Sequence, residues 1–319
     1  MIPVLRHMGT LIGLLVIVLF FAAQLPDTFL TPRNLINISQ QIAMLSVVAF
    51  TMTVVMVMND FDLSVGSTAS LAGMVAAVLF ALGFPIWVGV GAALAAGILG
   101  GLINGALVAY LGILPFVATL GTLTVFSGLA FFISGGETIF GRDIPKPFAE
   151  FARSGVPLDG VGLEGAQLPN LTIVAIVTLA LVWVALEHTV FGRKLYAIGG
   201  NIEAARLAGI DVARARLAAF AVTGFGAAVA GLMYASRVAS ANPTQGAGLM
   251  LDAIAAVFLG MTMGKQGEPR VLATLVGVLI LGILDNGLTQ MQVDSYVREM
   301  LVGSIVIAAV AISSLGRRA

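Results

Sequence analysis

The chain has 319 residues, of which 59% are hydrophobic and 10% charged, with a mean hydropathy of +1.05. That charge content is too small to cover the surface of a soluble protein of this length, so the chain belongs in a bilayer. Its 16 basic and 16 acidic residues cancel and point to no nucleic-acid partner, and the lack of cysteine excludes disulfides, thiol nucleophiles and thiolate metal sites together.

A helix needs roughly 20 apolar residues to cross about 30 Å of hydrocarbon. Runs of this kind lie at 9–25, 35–58, 66–84, 86–110, 114–134, 170–188, 213–236, 249–264, 271–290 and 297–314, which predicts an all-α, polytopic single transmembrane domain of about ten spans. The eighth run is short and holds Asp252, so eight or nine full spans with a re-entrant segment form a variant of the same plan. The first run follows Arg6 and His7 and ends near FAAQL, as a secretory signal would. Its apolar core exceeds the roughly 7–15 residues of a signal, and it is read as an uncleaved span.

With the N-terminus in the cytoplasm, ten spans return the C-terminus there, and the positive-inside rule tests the arrangement. Ten of the 16 Lys and Arg then fall inside, among them Arg193, Lys194, Arg206, Arg214, Arg216, Lys265, Arg317 and Arg318. The Gly- and Pro-bearing interval 135–169 becomes the largest periplasmic loop, and 191–216 becomes cytoplasmic.

That second interval, FGRKLYAIGGNIEAARLAGIDVARAR, is the longest polar and basic stretch. Asn201 is placed to cap a short helix with Glu203 in its first turn, Arg206 in its last turn and Gly209 as its stop, and Asp211 offers a second cap for the run that follows. Helices shorter than roughly 12 residues are marginal alone in water. A helix of about two turns with complete start and stop signals therefore reads as a docking element that lies on a surface, in preference to a plain surface turn.

Two halves, 9–134 and 170–314, carry weak internal symmetry. GGLINGAL at 100–107 echoes LGILDNGL at 281–288, aligning Asn104 with Asn286, and an Asp-bearing stretch precedes each: FDLSVGS at 61–67 and LDAIAAVFLG at 251–260. Five spans is an odd number, so such halves have opposite orientations, with a pathway expected where they meet.

No catalytic constellation is found. His7 and His188 sit at span ends and read as interfacial residues. The stretch GMTMGKQ at 260–266 fails as a phosphate loop, which needs Gly where Leu259 stands and Ser or Thr where Gln266 stands. Carboxylates in apolar surroundings are costly and face a cavity or a partner; Asp60, Asp62, Asp252 and Asp285 qualify. Asp62 with Ser64, and Asp252, also read as helix N-caps. Asp62, Ser64, Asn104, Asp252 and Asn286 are the candidate residues of a translocation path, with no metal or cofactor site.

FDLSVGS at 61–67, LYAIGGNIEAARLAGIDV at 195–212, ANPTQGAGLMLDAIAAVFLG at 241–260 and GVLILGILDNGL at 277–288 together resemble the permease subunits of ribose-type, carbohydrate-importing ABC transporters, over residues 35 to 314 or so. The resemblance implies a permease pairing with a second copy or a paralogue in the bacterial inner membrane, two cytoplasmic ABC ATPase subunits, a periplasmic sugar-binding protein and no cofactor of its own. It maps the ATPase-coupling segment onto Gly200, Asn201, Glu203, Ala204, Ala205, Arg206, Leu207 and Gly209, with 191–212 as the coupling loop. MTMGKQGEPR at 261–270, which the resemblance implies is a second cytoplasmic contact, departs from the Gly- and Ser-rich turn common in that family and is bulkier and more charged. The alternatives are a secondary transporter driven by an ion gradient through the Asp residues, and a passive channel; neither requires a docking helix.

Overall fold

The computed structural model describes residues 2–161, 166–263, 267–304 and 307. Lys265, Arg317, Arg318, residues 264–266 of the phosphate-loop-like stretch, the side chains of Arg6 and His7 and the end of the tenth run lie outside the described residues. In chain order the helices are α1 (Ile2–Gln24), α2 (Pro32–Met56), α3 (Val65–Ala81), α4 (Ile86–Ala109), α5 (Pro115–Ser134), α6 (Lys146–Arg153), α7 (Asn170–Trp183), α8 (Val190–Gly200), α9 (Ile202–Leu207), α10 (Val212–Val238), α11 (Leu249–Met261) and α12 (Val271–Gln290). A further helix begins at 295. The only strands among the described residues are short antiparallel pairs, Ile139–Phe140 with Ser240–Ala241 and Gly155–Pro157 with Gln167–Pro169.

The helix boundaries follow from local chemistry. Thr31 Oγ1 accepts from Asn34 N at 3.3 Å and Pro32 opens α2. Asp211 Oδ1 accepts from Arg214 N at 3.0 Å to open α10, and Gly135 in the left-handed region (φ 63°) closes α5. α7 runs on through a π-turn at Val184–His188, so 19 residues cross as one piece.

Six helices among the described residues are long and apolar enough to cross a membrane: α2, α4, α5, α7 with its π-turn, α10 and α12. Gly9–Gln24 of α1, α3 and α11 are apolar but shorter; at 1.5 Å per residue the 13 residues of α11 reach only about 20 Å. α2 and α10 form the centre, whereas α4, α5 and α7 leave most of their surface apolar and outward.

α10 lies against α4 and α3, while α2 lies against α12 and α11. The α4–α10 crossing is close because Gly97, Gly101 and Gly105 recur every fourth residue and let the backbones meet.

Several elements depart from the sequence reading. α8 precedes the short helix in what reads as an irregular loop. The interval 135–169 holds α6, whose Phe148, Ala149 and Ala152 are buried: Ser236 Oγ of α10 donates to Phe148 O at 2.6 Å and Gln40 Nε2 of α2 donates to Ala152 O at 2.9 Å. The cap of α11 is Gly248, with Asp252 inside the first turn and not capping it. Ser64 holds the cap position of α3 without a side-chain capping bond.

Candidate functional site

The short helix α9 is built as a projecting unit. Asn201 Oδ1 accepts from Ala204 N at 3.0 Å, satisfying one of the free N–H groups of its first turn. Gly209 adopts φ 80°, and Gly209 N and Ile210 N close the other end on Arg206 O and Ala205 O. Ala205 alone in the helix is buried. Glu203 and Arg206 pair with each other at 2.9 Å on the exposed side, and Leu207 is 91% exposed. Beneath α9 lies a cavity of about 280 Å³ lined by Ala109, Ile210, Val212, Ala213, Asp211, Arg206 and Arg216.

The connection between α2 and α3 runs behind this unit. Gly199, at the end of α8, sits so close to Val57 O that a Cβ would fall 1.9 Å from it. Asn59, at φ 60°, donates from Nδ2 to Gly199 O at 2.8 Å. Arg216, in the second turn of α10, donates from Nη2 to Asp60 Oδ1 at 3.0 Å, and its Nε lies 2.8 Å from Oδ2 in poor alignment for a second hydrogen bond. Both side chains are largely buried, so each neutralises a charge that solvent does not.

Further in, Asp62 Oδ1 accepts from Ser64 N at 2.9 Å, Ser64 Oγ at 2.7 Å and Asn104 Nδ2 at 3.3 Å. Asn104 Nδ2 also donates to Ser64 Oγ at 2.8 Å, and its Oδ1 accepts from Thr122 Oγ1 of α5 at 2.6 Å. Thr119 Oγ1 donates to Phe61 O at 3.3 Å. Asp62, Ser64 and Asn104 are thus one fully buried cluster joining the α2–α3 connection to α4 and α5. Replacing Asn104 with Leu removes one of the three hydrogen bonds to Asp62 and leaves the Thr122 hydroxyl only its longer bond to Thr119 O at 3.2 Å. A cost of about 2 kcal/mol is expected, read as a lower thermal midpoint in detergent that Asn104→Gln partly restores.

Asn286 lies elsewhere, at the opposite end of the bundle. Its Oδ1 accepts from Asn34 Nδ2 at 3.1 Å and Gln290 Nε2 at 2.8 Å, and its Nδ2 donates to Gln41 Oε1 at 3.2 Å. Its neighbour Asp285 pairs with Arg298 at 2.9 Å. Asp252 is exposed near the start of α11. The structure therefore gathers three of the five candidate path residues and leaves two apart. Sequence reasoning passed over the Asn59–Gly199 and Asp60–Arg216 links. The signal available was Asp60 itself, a carboxylate at the end of an apolar run that needs a cation.

Among the described residues no group of three or more His, Asp or Glu side chains is placed to hold a metal ion. What remains is a multi-pass α-helical membrane protein with a projecting capped helix and buried polar clusters between its helices. Residues 34–310 match the family described as branched-chain amino acid transport system / permease component, and the chain belongs to that family. It is a transport permease and not an enzyme. It is 36% identical to the ribose import permease protein RbsC of Bacillus subtilis, over 96% of this chain and 92% of the relative. It is 37% identical to the protein of the same name in Escherichia coli K12, over 97% and 94%. The D-allose transport system permease protein AlsC of Escherichia coli K12 is 33% identical over 96% and 91%. No solved structure matches the chain.

Proposed function

We propose that this chain is the transmembrane permease of an ATP-driven sugar importer in the bacterial inner membrane. It forms the translocation pathway with a second copy or a paralogue, and separate cytoplasmic ABC ATPase subunits drive it. A periplasmic sugar-binding protein delivers the solute. The observation that carries this reading is α9: a capped helix, anchored through Ala205, that offers Leu207, Glu203 and Arg206 outward. Residues 200–209 are the coupling segment, and the end of the bundle that bears them is cytoplasmic, as are both termini. Relatives named as ribose, allose and xylose permeases support a sugar as cargo.

The chain crosses about ten times as inverted halves, 9–134 and 170–314. This is supported by the exchanged packing, in which the second helix of each half lies on the third and fourth of the other. Exposed Asp252 stands on the wall of the path, and buried Asp62, Ser64, Asn104 and Asn286 brace the helices behind it. ATP closes the ATPase subunits, and the bundle changes state because ATP and the loaded binding protein each prefer one conformation.

Vesicles holding the permease and its ATPase subunit, supplied with MgATP and the binding protein, are offered labelled D-ribose, D-allose and D-xylose. Uptake is expected to require ATP and to persist when proton and sodium gradients are dissipated. Uptake that stops with the gradients while ATP is maintained returns the secondary-transporter reading, and flux without any ATPase subunit returns the channel.

A further inference from the structure

Residues 57–62 are held on both sides by the elements that carry α9. Gly199 lies two residues before its cap, Asn201, and packs on Val57 and accepts from Asn59. Arg216 lies seven residues past its stop, Gly209, and holds Asp60. The connection between Gly209 and Arg216 is stiff. Ile210 N bonds Ala205 O, and Asp211 caps α10 and pairs with Arg214 at 3.1 Å. A displacement of α9 therefore moves Gly199 and Arg216 together, and both pull on the stretch 57–60.

The buried charges make the pull effective. Asp60 is 3% exposed, so separating it from Arg216 leaves a carboxylate without solvent or partner. Moving the two as a unit avoids that cost. The next residues inward, Phe61 and Asp62, are bonded to Thr119 of α5 and Asn104 of α4. A continuous run of polar links thus joins the projecting helix to two membrane helices from the other half of the chain.

We propose that residues 57–64 are the transmission element of the permease, with Asp60 and Arg216 as positioning residues that carry the motion of α9 into the Asp62–Asn104 cluster. This rests on the assignment of α9 as the ATPase-coupling helix. Neither Asp60 nor Arg216 is expected to touch sugar or ATP; they act through α4 and α5.

The test uses Asp60→Asn, Arg216→Gln and the exchange Asp60→Arg with Arg216→Asp, in the complete permease–ATPase complex reconstituted as above. Because a buried charge change can prevent folding, Asn59→Gly serves as a second probe. Asn59 is exposed, and Gly keeps the positive φ while deleting only the Gly199 link. The readout is ATP hydrolysed per labelled D-ribose, D-allose or D-xylose accumulated, whichever the wild type carries. The single variants and Asn59→Gly are expected to raise that ratio fivefold or more while the ATPase subunit still co-purifies, and the exchange is expected to recover at least part of the loss. A ratio within twofold of wild type in Asn59→Gly and in every folded charge variant overturns the proposal. Loss of ATPase co-purification in Asn59→Gly also overturns it, since the residue then belongs to docking. If wild-type vesicles show no ATP-dependent uptake of any of the sugars, it is the importer assignment that fails.

Discussion

Gly101→Leu is expected to abolish the folded permease, while Gly91→Leu on the same helix leaves it intact. A Cβ on Gly101 would lie 2.2 Å from Phe220 O and 2.8 Å from Phe220 C, so the obstacle is the α10 backbone and not a side chain that can turn away. A Cβ on Gly97 would lie 2.5 Å from Gly224 O and one on Gly105 2.8 Å from Leu217 Cα, so α10 cannot tilt off one contact without closing on another. Lipid offers no hydrophobic drive to hold two helices together at a greater distance, and close packing is the main attraction at such a crossing. Overpacking a core commonly costs 1–3 kcal/mol; with backbone on both sides of the clash, more than about 3 kcal/mol is expected here. Gly91 has nothing within 4 Å, and a leucine there replaces a poor helix former with a good one. The check is thermal stability and monodispersity in detergent. Gly101→Leu protein with a wild-type midpoint would show that the α4–α10 crossing is not tight.

The same crossing explains what was and was not legible in the sequence. Long apolar runs located the membrane helices because bilayer thickness constrains length directly. The start and stop of α9 were legible because Asn201 and Gly209 act within a few residues of themselves. α8 was passed over because it reads as part of a polar loop, although Thr189 as a cap and Leu195 and Ile198 on one face were available signals. α6 was hidden in the same way: Pro147 near its start and the spacing of Phe148, Ala149 and Ala152 mark an amphipathic turn, but eight residues make a weak signal. The partners of Asp60 and Asp62 were beyond reach for another reason. Arg216 is 156 positions from Asp60 and Asn104 is 42 from Asp62; the packing of α10 on α3 and α4 brings the first pair together, and that of α4 on α3 the second. The cap reading of Asp62 and Ser64 used local rules where a long-range bond prevails: the Ser64 hydroxyl donates to Asp62 and accepts from Asn104, so it makes no capping bond.

Leu207→Asp is expected to separate the permease from its ATPase subunit with no loss of permease stability. Leu207 is 91% exposed at the end of a helix whose single buried residue is Ala205, so its side chain supports little of the fold. An apolar side chain held in water at a projecting tip, between a surface ion pair and a glycine stop, is the arrangement of a residue that anchors in a partner's pocket. Anchors of this kind cost 2 kcal/mol or more when truncated. Placing a carboxylate in the same pocket adds desolvation, so about 3 kcal/mol, or roughly 100-fold weaker association, is expected. Leu207→Met, similar in volume and flexible, should stay within a few-fold of wild type. Exchanging Glu203 and Arg206 keeps their mutual pair but reverses the charge pattern shown to the partner. A smaller loss is expected there, because exposed pairs contribute at most about 1 kcal/mol. Co-purification of the ATPase subunit with each variant, beside the thermal midpoint of the permease alone, separates docking from folding. Full retention of the subunit by Leu207→Asp would place the docking surface elsewhere, with the exposed Arg270 and its neighbours after α11 as the next segment to test.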